Sequence, residues 1–227
     1  MVPVRSKTKN TARPGGSARV GRVLAWRFGK DKWPVVRLLE AAGGSMVAAM
    51  AILKIARMGH PVLLARAAEV ADPAAPEIAR LIGDMAETLE DAGGVGLAAP
   101  QVFTPLRLFL YLVPEIRAEG AEAVALTAVI NPVVTPLTDE TELGWEGCLS
   151  IPGLRAAVPR YKRVHLAGMD QAGAAIDREI AGFHARVVQH EYDHLNGVLY
   201  PMRMSDFRYF GFNEETLRYP QLLEETP

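Results

Sequence analysis

The sequence Gln-His-Glu-Tyr-Asp-His-Leu-Asn-Gly at residues 189–197 constrains this chain more than any other stretch. It contains the pattern His-Glu-x-x-His. On a helix this pattern places His190 and His194 one turn apart on one face, so both imidazoles can bind one metal ion. Glu191 lies beside them, close enough to take a proton from a water on the metal. A catalytic site of this kind needs three protein ligands and one open position, so the third ligand must come from elsewhere in the chain.

The residues around this motif favour a helix. The apolar residues Ala185, Val188, Tyr192 and Leu195 recur at spacings of three and four and form one stripe, and Gly197 follows as a stop signal. An ordinary amphipathic helix with two histidines on its polar face is the alternative on this motif alone, because short motifs also occur by accident.

Composition excludes several other classes of protein. The chain has 227 residues, of which 49% are hydrophobic and 22% charged, as in a soluble enzyme with one large domain or one domain and an extension. A net charge of −1 argues against a nucleic-acid-binding protein. No apolar stretch approaches the ~18 residues of a membrane span. A single cysteine precludes an internal disulfide and fits a reducing compartment.

Residues 1–45 differ from the rest of the chain. They carry ten basic side chains against only Asp31 and Glu40, a net charge of +8. Three explanations compete: a disordered basic tail, an organellar transit peptide, or upstream sequence translated from a misassigned start. The tail or the misassigned start is favoured, because residues 1–20 show no amphipathic periodicity. We expect a catalytic domain over residues 46–227, which would end in an acidic tail from Ser205.

Between these ends the pattern predicts a mixture of one good helix and several short strands. The helix covers residues 76–91, where apolar residues recur at helical spacing before the stop Gly93-Gly94. A hairpin turn is expected at residues 170–173. The predicted strands are 106–113, 126–134, 155–158, 162–169, 174–180 and 198–200.

Two further segments carry residues suited to a site. Residues 94–101 are dense in small side chains, which let the backbone approach a ligand, and they end in the amide donor of Gln101. A tight turn between helix and strand is the alternative for this loop. Cys148 lies between glycines and polar groups, so its thiolate could be the missing metal ligand. The alternative for Cys148 is a buried small hydrophobe.

The position of the third ligand separates the enzyme classes that use His-Glu-x-x-His. An astacin-type site needs a third histidine where this chain has Tyr200, so that hypothesis fails. A thermolysin-type site needs a downstream glutamate, and Glu214 is available. That hypothesis leaves the Cys148 segment and the loop 94–101 without a purpose. A non-enzymatic zinc module would need four protein ligands, and this chain offers three.

The chain resembles peptide deformylases, which carry three motifs in a fixed order. They are a glycine loop ending in Gln, then Glu-Gly-Cys-Leu-Ser, then Gln-His-Glu-x-Asp-His-Leu-x-Gly. Here they stand at residues 94–101, 146–150 and 189–197 without a mismatch. The resemblance runs from about Met50 to about Met204 and is strongest to the bacterial and organellar subgroup.

The resemblance implies an α+β fold in which antiparallel strands surround a central metal-binding helix. It also implies a metal-dependent hydrolase that removes the N-formyl group from the starting methionine of new polypeptides and releases formate. The substrates are then N-formylmethionyl peptides.

The resemblance also assigns roles to individual residues. Cys148, His190 and His194 are expected to bind one divalent metal ion, and Glu191 to move protons. The oxyanion of the reaction would receive hydrogen bonds from the Gln101 amide and the Leu149 backbone N–H. Substrate contacts are expected from three residues: Val95, Gly96 and Arg155. For Arg155, a solvated arginine at a strand edge is the alternative.

The expected cofactor is Fe²⁺, as in the family, although Cys/His₂ ligation also suits Zn²⁺, Ni²⁺ and Co²⁺. The enzyme would work in the bacterial cytoplasm, or in an organelle if residues 1–45 are a transit peptide. A transient association with the ribosome is expected. The acidic tail differs from the basic C-terminal helix by which some members are thought to dock there. No membrane association and no recognition of nucleic-acid sequence are expected.

Overall fold

The computed structural model describes residues 51–118 and 122–219. The predicted extension over residues 1–45, and the last part of the predicted acidic tail, lie outside the described residues. Described helices and strands follow the order α1 (Pro76–Ala92), β1 (Gly96–Ala98), β2 (Leu108–Val113), β3 (Val124–Pro136), β4 (Thr141–Cys148), β5 (Ile151–Tyr161), β6 (Arg163–Met169), β7 (Ala175–Ala181), α2 (Gly182–Leu195), β8 (Phe210–Phe212) and α3 (Asn213–Arg218).

The strands form two separate antiparallel sheets. The larger sheet has the order β1-β2-β3-β6-β7, and the smaller has the order β4-β5-β8. Helix α2 packs against strands of both sheets, so it lies at their junction. This arrangement confirms the expected α+β fold with a central helix.

Strand β2 explains why one sheet needs two helices. Its residues Leu108 and Leu110 point into a core shared with α1, whereas Phe109 and Tyr111 point into the core shared with α2. Side chains alternate between the two faces of a strand, so a strand buried on both faces is apolar throughout. The uninterrupted run Leu-Phe-Leu-Tyr-Leu-Val therefore follows from a sheet covered by α1 on one face and α2 on the other.

Helix α1 confirms the prediction for residues 76–91 and extends one residue further. Pro76 occupies its first position, where a missing N–H costs nothing. Ile78, Ile82 and Leu89 form the buried stripe. Gly93 ends the helix in the left-handed conformation, with φ of 65°.

The strand predictions agree with the structure in part. The hairpin β6–β7 and strands β2 and β3 lie where the sequence predicts them, and residues 155–158 are the middle of the longer β5. Strand β4, which carries Cys148, was not predicted, because its glycines and polar residues give no alternation. Its pairing with β5 determines its conformation instead.

The strand predicted at residues 198–200 is wrong. Tyr200 begins a 3₁₀ turn, Tyr200–Arg203, which packs against the smaller sheet. Pro201 has a fixed φ and no N–H to donate to a strand ladder, so the chain turns at this point.

Candidate metal centre

Cys148, His190 and His194 come together at the junction of the two sheets. Cys148 is the last residue of β4, and the two histidines lie one turn apart on α2. One possible ligand atom from each residue lies within 4.8 Å of the other two. The Sγ atom of Cys148 is 3.3 Å from Nε2 of His194. Among the described residues this is the one group of three that could hold a metal ion.

The surroundings of Cys148 favour a thiolate. Burial opposes ionisation, but His194 and His190 outweigh it and hold the pKa of the thiol well below its ordinary value. The Ser150 backbone N–H and the Gln101 side-chain amide also point at Sγ, at 3.4 and 3.5 Å. A thiolate is the form in which cysteine binds metals.

Glu146 orients the His190 ring. Its Oε2 atom lies 2.9 Å from Nδ1 of His190. Although burial would raise the pKa of this carboxyl, hydrogen bonds from Arg160 and His190 hold it far below its ordinary value. A carboxylate only accepts hydrogen bonds, so Nδ1 carries the hydrogen. Nε2 is then the atom left free to bind a metal, as is usual when a carboxylate supports a metal-binding histidine.

A buried charge network fixes Glu146 in turn. Arg160 donates to both of its carboxylate oxygens, from Nε at 2.8 Å and from Nη2 at 2.9 Å. The remaining Nη1 of Arg160 donates to Asp193 at 2.6 Å, and Arg203 also binds Asp193. This network was not predicted from the sequence. Its only visible signal was that Glu146 and Asp193 belong to the recognised motifs.

Glu191 lies next to the three candidate ligands and is not a member of that group. Its side chain is buried, and its Oε2 atom has no hydrogen-bond partner among the described residues. Burial raises the pKa of this carboxyl to about 7. The carboxylate lies against Gly96 so closely that a Cβ at that position would overlap it. Such a carboxyl can both accept and return a proton near neutral pH.

The Gln101 side chain is held with its amide hydrogens toward the site. Its Oε1 accepts a hydrogen bond from the Ala98 backbone N–H at 2.8 Å, which fixes the orientation of the amide. Its Nε2 donates to Ser150 Oγ at 3.1 Å and faces Cys148 Sγ. Gln101 is therefore a donor fixed in advance, as an oxyanion site requires.

A cleft of about 400 Å³ leads to these groups. Arg155 is not among its lining residues; its guanidinium lies 4.6 Å from the centre of the Trp145 ring, which forms part of the wall. His194 is also absent from the lining, because it is almost fully buried. The remaining site residues predicted from the sequence all line the cleft: Val95, Gly96, Gln101, Cys148, Leu149, His190 and Glu191.

The alternative ligand Glu214 lies elsewhere. It is exposed in the first turn of α3 and does not belong to the group of possible metal ligands. Tyr200, which replaces the third histidine of astacin-type enzymes, is buried, and its ring stacks on His190 with 6.1 Å between centroids. Neither residue completes a thermolysin-type or astacin-type site among the described residues.

A cysteine that favours its thiolate form, two imidazoles, a buried carboxyl beside them and a fixed amide donor are typical of a metal-dependent hydrolase. The family model for polypeptide deformylase matches residues 52–209. The chain therefore belongs to the peptide deformylase family. It is a hydrolase that removes the N-formyl group from new polypeptides.

Individual relatives agree with this assignment. Peptide deformylase 1 of Nitrosomonas europaea is 51% identical over 72% of this chain and 93% of its own length. Peptide deformylase 1 of Bordetella pertussis is 53% identical over 70% and 92%. The crystal structure of peptide deformylase from Thermotoga maritima is 39% identical, with a TM-score of 0.61 over 68% of this chain and 99% of that one. None of the described helices is both long and apolar enough to cross a membrane.

Proposed function

We propose that the cleft performs deformylation with Cys148, His190 and His194 as the ligands of one divalent metal ion and Glu191 as the proton carrier. The observation that carries this proposal is the buried Glu191 carboxyl, which has one oxygen without a partner and lies beside the three ligand atoms. The donor set fits a metal ion because the thiol favours its ionised form and Glu146 leaves Nε2 of His190 free. A divalent ion there would polarise the formyl oxygen and make water a stronger acid.

Glu191 moves the proton in both halves of the reaction. As the oxygen of the attacking water bonds to the formyl carbon, Glu191 takes a proton from that water. When the C–N bond breaks, the Glu191 carboxyl gives this proton to the departing nitrogen. Formate and a peptide with a free amino group leave. A pKa near neutrality suits a group that must both accept and donate.

The negative oxygen formed in between requires donors that are already in place. We assign this role to the Gln101 Nε2 amide, which the Ala98 N–H bond orients, and to the backbone N–H of Leu149. Leu149 follows Cys148 directly and lines the same cleft. Both donors therefore lie on the side of the cleft next to the thiolate.

The peptide part of the substrate has an edge strand to bind to. Among the described strands, β1 lies at the end of the larger sheet and pairs only with β2. An extended peptide can add to such an edge by backbone hydrogen bonds. Gly96 is the first residue of β1, Val95 directly precedes it, and both line the cleft. We place Arg155 further out, where its guanidinium over Trp145 can contact peptide carbonyls.

Formate release from formyl-Met-Ala-Ser tests the proposed function. A crystal structure of the Acinetobacter baumannii enzyme, 34% identical to this chain with a TM-score of 0.64 over 68% of it and 99% of that chain, is described as Met-Ala-Ser bound. The metal-loaded protein should release formate from the formyl peptide and leave acetyl-Met-Ala-Ser intact. Glu191→Gln protein with the same metal content is the matched control. Absence of formate from the metal-loaded wild-type protein would disprove the proposal.

We propose Fe²⁺ as the native ion, because the family uses it and a thiolate with two imidazoles accepts it. A thiolate on a redox-active ion is open to oxidation by air. The iron-loaded protein should lose activity in air, with a mass increase on the Cys148 peptide, while the nickel-loaded protein keeps its activity. Equal lifetimes of the two forms would argue against iron. Cys148→Ser should lose metal, because a hydroxyl is a poorer ligand than a thiolate.

We place the enzyme in the cytoplasm, where it would meet new polypeptides during transient contact with the ribosome. The C-terminal helix α3 carries Glu214 and Glu215 against Arg218, so it lacks the basic surface expected of a ribosome-docking helix. Co-sedimentation with ribosomes at graded salt tests the contact. Import of the full-length chain into isolated mitochondria with removal of about 45 residues would favour the organellar alternative instead.

A further inference from the structure

Arg186 is a buried arginine in the wall of the cleft, and no step of the proposed reaction uses it. It lies on α2, one turn before His190, and its side chain is only 10% exposed. An arginine is almost never buried unless it is paired. Its partners therefore indicate what it does.

The Arg186 guanidinium joins α2 to the smaller sheet. Its Nη1 atom donates to the Val158 carbonyl at 2.8 Å and to the Gly144 carbonyl at 3.3 Å, and its Nη2 atom donates to the Glu142 carbonyl at 2.7 Å. All three acceptors are backbone atoms of β4 and β5. These bonds hold the guanidinium against the strand that carries Cys148.

The fourth bond of Arg186 reaches the metal centre. Its Nη1 atom donates to Glu146 Oε1 at 3.0 Å. The same Oε1 accepts from Arg160 Nε, while Oε2 accepts from Arg160 Nη2 and from Nδ1 of His190. Each carboxylate oxygen thus has two donors. Without Arg186, Oε1 would keep one donor, and Arg160 would be the only arginine that holds the carboxylate that orients His190.

Gly144 shows that the local backbone is shaped around this arginine. A Cβ at residue 144 would lie 2.7 Å from the Arg186 guanidinium carbon. Real Cβ atoms do not come that close to other heavy atoms, so any side chain at residue 144 would displace the guanidinium. The glycine leaves the space in which the arginine lies flat against β4.

We propose that Arg186 is a positioning residue for the metal ligand His190. It acts through Glu146: by holding this carboxylate between two arginines, it keeps the imidazole in the orientation that binds the ion. The proposal rests on the metal site given under the proposed function. Partners behind a metal-binding histidine commonly contribute roughly 10- to 100-fold to metal affinity.

Metal retention by variants of the full-length protein tests the proposal. Nickel-loaded proteins are challenged with a chelator, and the rate and extent of metal loss are measured without substrate. Arg186→Met, which keeps the length but not the donors, should lose nickel roughly 10- to 100-fold more readily than the wild type. Arg186→Lys should fall between the two. The visible absorption of the cobalt form should change in Arg186→Met, because it reports the geometry of the ligands.

Gly144→Ala provides a second route that leaves Arg186 in the sequence. Its Cβ should displace the guanidinium and weaken nickel binding in the same direction. In protein that already carries Arg186→Met, Gly144→Ala should not weaken nickel binding further, because the guanidinium that it would displace is absent. If Arg186→Met does not fold, Gly144→Ala decides the question alone. Unchanged nickel retention in Gly144→Ala would then overturn the proposal.

Leu166→Ala separates positioning from loss of stability. Leu166 is fully buried in β6, in the core between the larger sheet and α2, and its apolar side chain has no group that could hydrogen-bond to Glu146 or Arg186. Leu166→Ala should lower the melting temperature without weakening nickel binding. The proposal would be overturned if Arg186→Met retained nickel as well as the wild type. It would also be overturned if Leu166→Ala lost as much nickel as Arg186→Met when the two variants show the same fall in melting temperature. A wild-type protein that binds nickel but releases no formate would instead contradict the proposed function and leave the role of Arg186 standing.

Discussion

At the scale of single residues, Glu191 is one of three residues at the site that bury a polar atom without a hydrogen-bond partner among the described residues; the others are His194 and Tyr200. A buried carboxyl with an unpaired oxygen is unfavourable to folding, and the protein keeps it beside two histidines and a thiolate. The same burial raises its pKa into the range in which it can exchange protons. Burial of this side chain therefore lowers the stability of the fold but favours proton transfer, and the two effects can be measured separately.

Replacing Glu191 should abolish turnover without releasing the metal. In the proposed mechanism Glu191 moves protons and is not one of the three ligands, so Glu191→Ala should keep the metal content and the fold and lose almost all deformylation. Metal content by elemental analysis and formate release by the same preparation give the test. Substantial turnover in a metal-replete variant would remove Glu191 from the mechanism.

The stability of the metal-free protein should depend on pH through the same residue. The folded protein holds the Glu191 proton up to about pH 7, whereas the unfolded chain loses it near 4.5. Metal-free wild-type protein should therefore lose stability as the pH rises through this window. At about pH 8, metal-free Glu191→Gln should be more stable by up to ~3 kcal/mol, and the difference should vanish at about pH 4. Urea unfolding at a series of pH values measures it; a constant difference would contradict the assignment.

Gln101→Leu should lower kcat by roughly 10²- to 10³-fold, the usual loss for one oxyanion donor. Gln101→Glu should show a similar loss, because it keeps the acceptor for the Ala98 N–H but provides no donor. Ser150→Ala is the control, since it removes a partner of the Gln101 amide and leaves the donor itself in place. If only KM changed in the two Gln101 variants, Gln101 would bind substrate in the ground state.

At the scale of elements, the helices could be predicted from the sequence and the sheets only in part. A period near 3.6 with a glycine stop is local information, and both long helices lie where this pattern predicts them. Strand β4 carries no such pattern, because pairing with β5 determines its conformation. The division into two sheets and the bonds of Arg160 and Arg186 depend on residues far apart in sequence. The three candidate ligands, which the structure brings together, could thus be named from the sequence, but the buried charges around them could not.

Alanine should have different effects at Gly96, which contacts α2, and at Gly197, which lies two residues after the end of α2. At Gly96 the added Cβ meets the end of the Glu191 side chain, which can move, so the fold should survive and kcat should fall. At Gly197 the φ of +72° is strained for alanine, and the Cβ would lie 2.5 Å from the Leu64 carbonyl oxygen, a backbone atom that cannot easily move. Gly197→Ala should therefore destabilise the protein by about 1–3 kcal/mol. Melting curves and the kcat of the folded fraction distinguish Gly96→Ala from Gly197→Ala. A destabilised Gly96→Ala protein together with a stable Gly197→Ala protein of low kcat would contradict this account.

At the scale of the whole molecule, the metal centre lies where three elements meet. The three candidate ligands belong to α2 and β4, the proposed proton carrier Glu191 lies against β1, and the buried network of Glu146, Arg160 and Asp193 ties α2 to the smaller sheet. An ion bound there would link α2 to strand β4 of the smaller sheet. Anything that binds only the folded form stabilises it, so removing the metal should lower the melting temperature.

The last prediction concerns the basic residues 1–45, which lie outside both the matched family region and the described residues. Every residue assigned to the site belongs to residues 95–194, and the three described cores are built from residues after 50. Protein starting at Met46 should therefore remain soluble and keep its kcat and metal content. A melting temperature close to that of the full-length chain should accompany this. Aggregation, or a large fall in both kcat and melting temperature, would show that the basic segment contributes to the fold.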